Sequence, residues 1–143
     1  MRELMGVYFN VMDGFEIPPQ TTQTWTARFA VKPGSEVHLM TSHAHWQNTR
    51  FEIFRYDEKD GSLESLYVST DPLHPKVLRY EEPLRFEEGQ GFEVRCTWAN
   101  QLDVPLRNGD SGLEDEMCIM AAFYTPDAGI AWRYGLKQGT LVE

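Results

Sequence analysis

The chain has 143 residues, and its 13 Lys and Arg against 22 Asp and Glu give a formal net charge of −9. Its length suits one hydrophobic core and is short for two, so we expect a single domain over residues 1–143. The negative charge disfavours binding to nucleic acid, and no apolar run approaches the roughly 18 residues that a membrane span needs. We therefore expect a soluble domain that neither binds nucleic acid nor spans a membrane.

Short alternating runs separated by turn residues predict strands and almost no helix. The eight predicted strands are Gly6–Met12, Gln23–Val31, Glu36–Ser42, Arg50–Tyr56, Leu63–Ser69, Val77–Tyr80, Phe92–Trp98 and Met117–Tyr124. The segments between them are rich in Pro, Gly, Asp and Asn, which favour turns. Strands at this spacing, without intervening helices, predict an all-β fold in the form of a two-sheet sandwich or a jelly roll.

His43 and His45 are the first candidate site residues. Residues two apart in a strand point to the same side, so both imidazoles can approach one ligand. The motif is weak by itself, because two surface histidines can fall at this spacing by accident. Here it follows the strand Glu36–Ser42 directly, so a site would open to solvent at a strand end. Trp46 is the next residue and would wall such a pocket, whereas the other tryptophans are expected to pack in the core.

The remaining histidines are weaker candidates. His38 lies in the apolar part of its strand, where a hydrogen-bonded histidine is the better interpretation. His74, in a proline-rich loop, is expected to be exposed and remains a possible extra ligand. A cupin-type site is disfavoured, because the next glutamate, Glu52, is an odd number of residues after His45 and would point to the opposite face.

Met117 and Cys118 offer a sulfur ligand near the end of the chain. The segment before them, Gly112–Glu116, is expected to form a solvated acidic turn, although Glu114, Asp115 and Glu116 could also hydrogen-bond a ligand histidine. Neighbours on a strand point to opposite faces, so only one of the two sulfurs can bind the same metal as the histidines. If Cys118 is the ligand, the site is a blue-copper centre. If Met117 is the ligand, Cys118 is free to pair with Cys96, whose strand could lie beside it.

We favour Met117, because three protein ligands then leave the metal an open position. A thioether with two imidazoles suits copper better than zinc. A bridge between Cys96 and Cys118 would contribute roughly 3 kcal/mol for a loop of about 22 residues. Two alternatives stay open at this point: Met117 as core filler, and the two cysteines as buried thiols.

Four elements in this order carry a resemblance to a known family. They are Glu16-Ile17-Pro18-Pro19, His43-Ala44-His45, Gly89 to Arg95-Cys96, and Asp115-Glu116-Met117-Cys118. On these residues the chain resembles the C-terminal domain of the copper type II, ascorbate-dependent monooxygenases, which include peptidylglycine α-hydroxylating monooxygenase and dopamine β-monooxygenase. The resemblance extends to about Tyr124 and does not cover the tail, Thr125–Glu143.

The resemblance implies an antiparallel, jelly-roll-like β-sandwich. It implies one catalytic copper ion bound by His43, His45 and Met117, and a disulfide between Cys96 and Cys118. The implied reaction is hydroxylation of a C–H bond in a small-molecule substrate with O2, ascorbate or another external reductant supplying electrons. The presumed disulfide and the family together indicate a periplasmic or secreted protein.

The sequence departs from the family in two respects. The family's enzymes carry a preceding domain whose three histidines hold a second copper; the sequence has no counterpart, so such an N-terminal domain is an implied partner. Thr41, Ile119 and Ala121 stand where peptide-processing members bind a peptide carboxylate, and they supply no arginine, amide or phenol, so peptidylglycine is not the expected substrate. The alternatives to a monooxygenase domain are a non-catalytic copper-binding or copper-carrying module and a purely structural interaction domain.

Overall fold

The computed structural model describes residues 5–126 and 129–134, and its regular structure within these ranges is entirely β-strand. The strands are β1 (Gly6–Val11), β2 (Glu16–Ile17), β3 (Thr22–Ala30), β4 (Glu36–Ala44), β5 (Asn48–Asp57), β6 (Ser62–Ser69), β7 (Val77–Arg85), β8 (Gln90–Ala99), β9 (Leu106–Arg107), β10 (Cys118–Thr125) and β11 (Gly129–Tyr134). All eight predicted strands are present, and β2, β9 and β11 were not predicted. Within the described ranges no helix has the length and apolarity to cross a membrane.

The strands form a five-stranded sheet in the order β11-β1-β10-β4-β7, a four-stranded sheet in the order β3-β8-β5-β6, and a small pair of β2 with β9. The described pairings are antiparallel except that of β1 with β11. Buried side chains from both large sheets share one core cluster. The all-β sandwich is thereby confirmed, whereas the jelly-roll path of the chain and the extent of a single domain over residues 1–143 stay predictions.

The two-residue period of each strand decides which side chains enter the core. Met120 and Ala122 of β10 are fully buried, while the alternate residues Ile119, Ala121 and Phe123 remain partly exposed. The apolar face predicted for the strand that is now β3 does point to the core. Ala27 is buried, and Trp25 and Phe29 pack against the core. Turns follow the predicted chemistry: Gly61, between β5 and β6, has a φ of 69°, a conformation that costs glycine least.

Cys96 and Cys118 form the predicted disulfide, with Cα atoms 6.3 Å apart. Cys96 lies on β8 of the four-stranded sheet and Cys118 on β10 of the five-stranded sheet. The expectation that the two strands lie side by side is therefore wrong, because the bridge crosses the core from one sheet to the other. It fixes the start of β10 against the opposite layer.

β4 continues past its predicted end at Ser42 and ends at Ala44, which pairs with Cys118. His43 therefore lies within the strand, opposite Ile119, and His45 directly follows it. Near the other end of β4, the pairing with β10 shifts by one residue at His38. His38 is the extra residue of this bulge. Because the bulge absorbs it, β4 keeps the same face toward the core on both sides of the shift.

Candidate functional site

The two histidines of the His-x-His motif are neighbours on the outer side of the five-stranded sheet. Ser42 and Ala44 point into the core, so His43 points outward and is exposed. The ring centroids of His43 and His45 are 5.3 Å apart, and the ring planes are nearly perpendicular at 80°. The alternation of the strand thus brings the two imidazoles together as the sequence predicts.

A hydrogen bond to the backbone fixes the tautomer of His45. Its Nδ1 lies 2.9 Å from the carbonyl oxygen of Asp115. A carbonyl oxygen can only accept, so Nδ1 must carry the proton, and Nε2 of the neutral ring then has a free lone pair. This is the arrangement in which a histidine ligand donates one ring N–H to a supporting group and offers the other nitrogen to a metal.

The surroundings of His43 favour its neutral form. Burial lowers the pKa of His43, and the nearby charge of His45 lowers it further. A histidine must be neutral to bind a metal, because the proton and the metal compete for the same lone pair. The pair of rings is therefore suited to ligation, although His43 is solvent-accessible.

Met117 lies one residue before β10, and the strand register sets its position relative to the histidines. The pairing of β10 with β4 sets Ile119 opposite His43 and Cys118 opposite Ala44. The ladder ends at that pair, so Met117 and His45 are each the next residue beyond it, and Met117 is not among the residues that line the cleft over the histidines. Met117 is partly buried. Its role as a ligand stays a prediction.

Glu116 is fully buried, so the expected solvated turn is wrong for this residue. Its carboxylate accepts four N–H bonds: the backbone amides of His45, Gln47 and Met117 donate over 2.8, 2.8 and 3.2 Å, and the indole Nε1 of Trp98 donates over 3.0 Å. Burial raises the pKa of Glu116, and these four donors act in the opposite direction. Glu116 forms an isolated bridge with Asn108 outside β10, so no strand alternation in the sequence indicates its burial.

A cleft of about 310 Å³ opens over the two histidines. Besides His43 and His45, its lining residues are Ala44, Trp46, Pro72, Leu73, Pro75 and Gly112. Trp46 walls the cleft as expected and is 43% exposed. The loop between β6 and β7 forms part of the lining through Leu73, which is 70% exposed, a contribution that no sequence pattern predicts.

His43 also lines a second pocket of about 320 Å³ on the outer face of the sheet. The other lining residues are Phe9, Thr41, Ser42, Ile119 and Ala121. None of these side chains is charged, and three of them are apolar. A molecule held beside His43 would therefore meet an apolar wall.

The two other histidines lie in different surroundings. His38, on the bulge of β4, has its Nε2 2.8 Å from the hydroxyl of Thr125, in agreement with the hydrogen-bonded interpretation. His74 is exposed, and its Nδ1 lies 3.0 Å from the Asp71 carboxylate. Neither is among the residues that line the cleft over the His-x-His motif.

Two rival metal sites find no support in the described residues. The blue-copper interpretation is wrong, because Cys118 is bound to Cys96 and has no thiolate. For a cupin-type site, Glu52 is placed on the four-stranded sheet and forms an ion pair with Arg50. In residues 5–126 and 129–134 no group of three or more His, Cys, Asp or Glu is arranged to hold a metal. The predicted site has only two such residues, its third ligand being a thioether.

Comparison with known proteins adds no family. No protein-family model matches the chain, and no curated protein does. The interpretation of the site therefore depends on its own residues.

Proposed function

We propose that this chain is a copper-binding β-sandwich domain that holds one copper ion through His43, His45 and Met117. The observation that supports the proposal most directly is the neighbouring pair of imidazoles, with the Nδ1 of His45 bound to the Asp115 carbonyl and its Nε2 left for a ligand. The soft, neutral sulfur of a thioether favours Cu(I), and imidazole binds both oxidation states. Two imidazoles and one thioether therefore fit copper.

We further propose that the domain is related to the catalytic half of the copper type II, ascorbate-dependent monooxygenases. Copper bound there would supply one-electron redox chemistry for the O2-dependent hydroxylation of a C–H bond, with ascorbate or another external reductant as the electron source. The chain's own contribution is to bind the substrate beside His43. Since the pocket there is lined by Phe9, Ile119 and Ala121 and has no charged wall, the proposed substrate is an uncharged small molecule with an apolar body.

The disulfide supports a proposed location in the periplasm or outside the cell, since such bonds persist in oxidising compartments. A separate domain holding a second copper is a proposed partner. It would supply the second electron that one copper ion cannot store. A chain without that partner should bind copper well and turn over slowly.

Competition with a colorimetric Cu(I) chelator tests the copper site. The native chain should withdraw one copper from the chelator, and His43→Ala, His45→Ala and Met117→Ala should each lower the affinity at least about tenfold. His74→Ala and Met5→Ala are matched controls, because both residues are exposed and lie outside the cleft. Native affinity in a His43→Ala/His45→Ala double variant would overturn the proposal.

A second measurement separates a monooxygenase from a copper-carrying module. The copper-loaded chain is given ascorbate, O2 and an uncharged apolar substrate, and hydroxylated product is measured by mass spectrometry. Product that disappears in Met117→Ala supports the monooxygenase. Tight copper binding without product, also in the presence of peroxide, supports the non-catalytic module instead.

A further inference from the structure

Glu116 lies where the pairing of β4 with β10 ends. The last pair is Ala44 with Cys118, and the chain then turns away through residues 45–47 into β5. The amides of His45 and Gln47 lie beyond the ladder. Both donate to the Glu116 carboxylate, which takes the place of a strand partner at this corner.

Both oxygens of the carboxylate are in use. Oε1 accepts from His45, Met117 and the Trp98 indole, and Oε2 accepts from Gln47. Hydrogen bonds to an ionised acceptor are about twice as strong as neutral ones. Burial adds to their importance, because a buried N–H that loses its partner is costly.

The donors belong to the segments that carry the candidate ligands. One amide is that of His45 itself and another is that of Met117, while Trp98 anchors the carboxylate to β8 of the opposite sheet. The preceding residue adds a fifth link, since the Asp115 carbonyl accepts from the His45 ring. Residues 115–116 therefore fix both the backbone and the ring of His45, immediately next to Met117.

We propose that Glu116 is the positioning residue of the copper site, holding the His45 and Met117 segments together so that imidazole and thioether reach one ion. The inference rests on the proposed function and adds to it a fourth residue, which does not touch the metal. Replacing Glu116 should loosen Met117 most, because the His45 ring keeps its hydrogen bond to the Asp115 carbonyl while the Met117 amide loses its bond to the carboxylate. Cu(I) binding should then weaken more than Cu(II) binding.

Glu116→Gln is the first test, since it keeps the shape of the side chain and turns one acceptor into a donor. We expect Cu(I) affinity to fall about tenfold or more, Cu(II) affinity to fall less, and copper–sulfur scattering in X-ray absorption to weaken. Glu93→Gln is the matched control: Glu93 is also a buried carboxylate, bound by Arg28 and Arg95. It should lower stability without changing the ratio of Cu(I) to Cu(II) affinity.

Equal copper–sulfur scattering and equal affinities in native protein and folded Glu116→Gln would overturn the inference while leaving the copper site in place. A native chain that binds no copper would overturn the proposed function and the inference with it. If Glu116→Gln does not fold, Glu116→Asp keeps the charge and withdraws it by one methylene, with the same expected direction. Should that variant also fail to fold, hydrogen exchange in the native protein decides: slow exchange at the amides of His45 and Gln47 supports the inference, and fast exchange overturns it.

Discussion

Cys96 and Cys118 join the two sheets through the core, and the residue before Cys118 is Met117. Both cysteines are fully buried. The start of β10 is therefore fixed from behind by a covalent bond and from the side by the carboxylate of Glu116. Met117, which lies just outside the strand ladder, is therefore held on one side by the disulfide of Cys118 and on the other by the bond of its amide to Glu116.

Removing the disulfide should reduce stability. For Cys96→Ala/Cys118→Ala we expect the free energy of unfolding to fall by about 3 kcal/mol, because the unfolded chain regains the freedom of the closed loop. Urea denaturation of native and variant protein measures the difference. An unchanged urea midpoint would contradict this prediction. In the folded variant, Cu(I) affinity should also fall.

Trp98→Phe should destabilise the protein by about 2 kcal/mol, since it removes one donor to the buried Glu116 carboxylate and leaves a smaller ring against Phe15. Trp25→Phe is the control. The indole of Trp25 donates to the nearby Gln23 and the residue is only partly buried. Thermal unfolding of the two variants should show the larger loss for Trp98, and equal losses would count against a special role for its indole.

Stability should decline at alkaline pH through Tyr67. Burial raises the pKa of Tyr67 above its ordinary value of 10.0, while its hydroxyl bonds with Ser42 and Lys76 act in the opposite direction. Since the folded protein holds this proton more tightly than the unfolded chain, the contribution is complete below pH 10.0 and is lost as pH rises through the folded pKa.

Urea denaturation below and above pH 10.0 measures this decline. Tyr67→Phe should flatten it in part. The remainder is expected from Tyr56 and Tyr80, whose pKa values burial also raises. A variant with the native pH profile would show that Tyr67 ionises equally in both states.

Filling the apolar pocket should separate substrate binding from copper binding. Ala121 lies between Phe9 and Thr41 in the sheet register, next to His43 in the pocket lining. Ala121→Trp should leave Cu(I) affinity unchanged and abolish hydroxylation of an apolar substrate by copper-loaded protein. Full product formation in this variant would show that the substrate binds elsewhere, with the cleft walled by Trp46 as the next candidate.

The sandwich could be predicted because the apolar and polar residues of most strands alternate, which indicates the face that is buried. The run from Trp25 to Val31 alternates clearly, and the turns around Gly61 and Gly89 need a positive φ that glycine provides. β2 and β9 are only two residues long, too short for any period to appear. The bulge at His38 was likewise unpredictable, because an extra residue in one strand is visible only against its partner.

The pairing of His43 with His45 follows from a local rule, and so it could be predicted. The burial of Glu116 could not, since an acidic run resembles a solvated turn until four specific donors are placed around it. Two of these donors, His45 and Gln47, are about seventy residues away in sequence. Only the folded chain brings them to the carboxylate.

The burial of the Cys96–Cys118 disulfide has a chemical consequence for the proposed copper site, which an external donor would reduce. Cys118 is inaccessible to solvent, as is Cys96, so a water-borne electron donor arriving at the histidine cleft finds no path to their bond. Repeated reduction at the surface can then proceed without severing the internal cross-link.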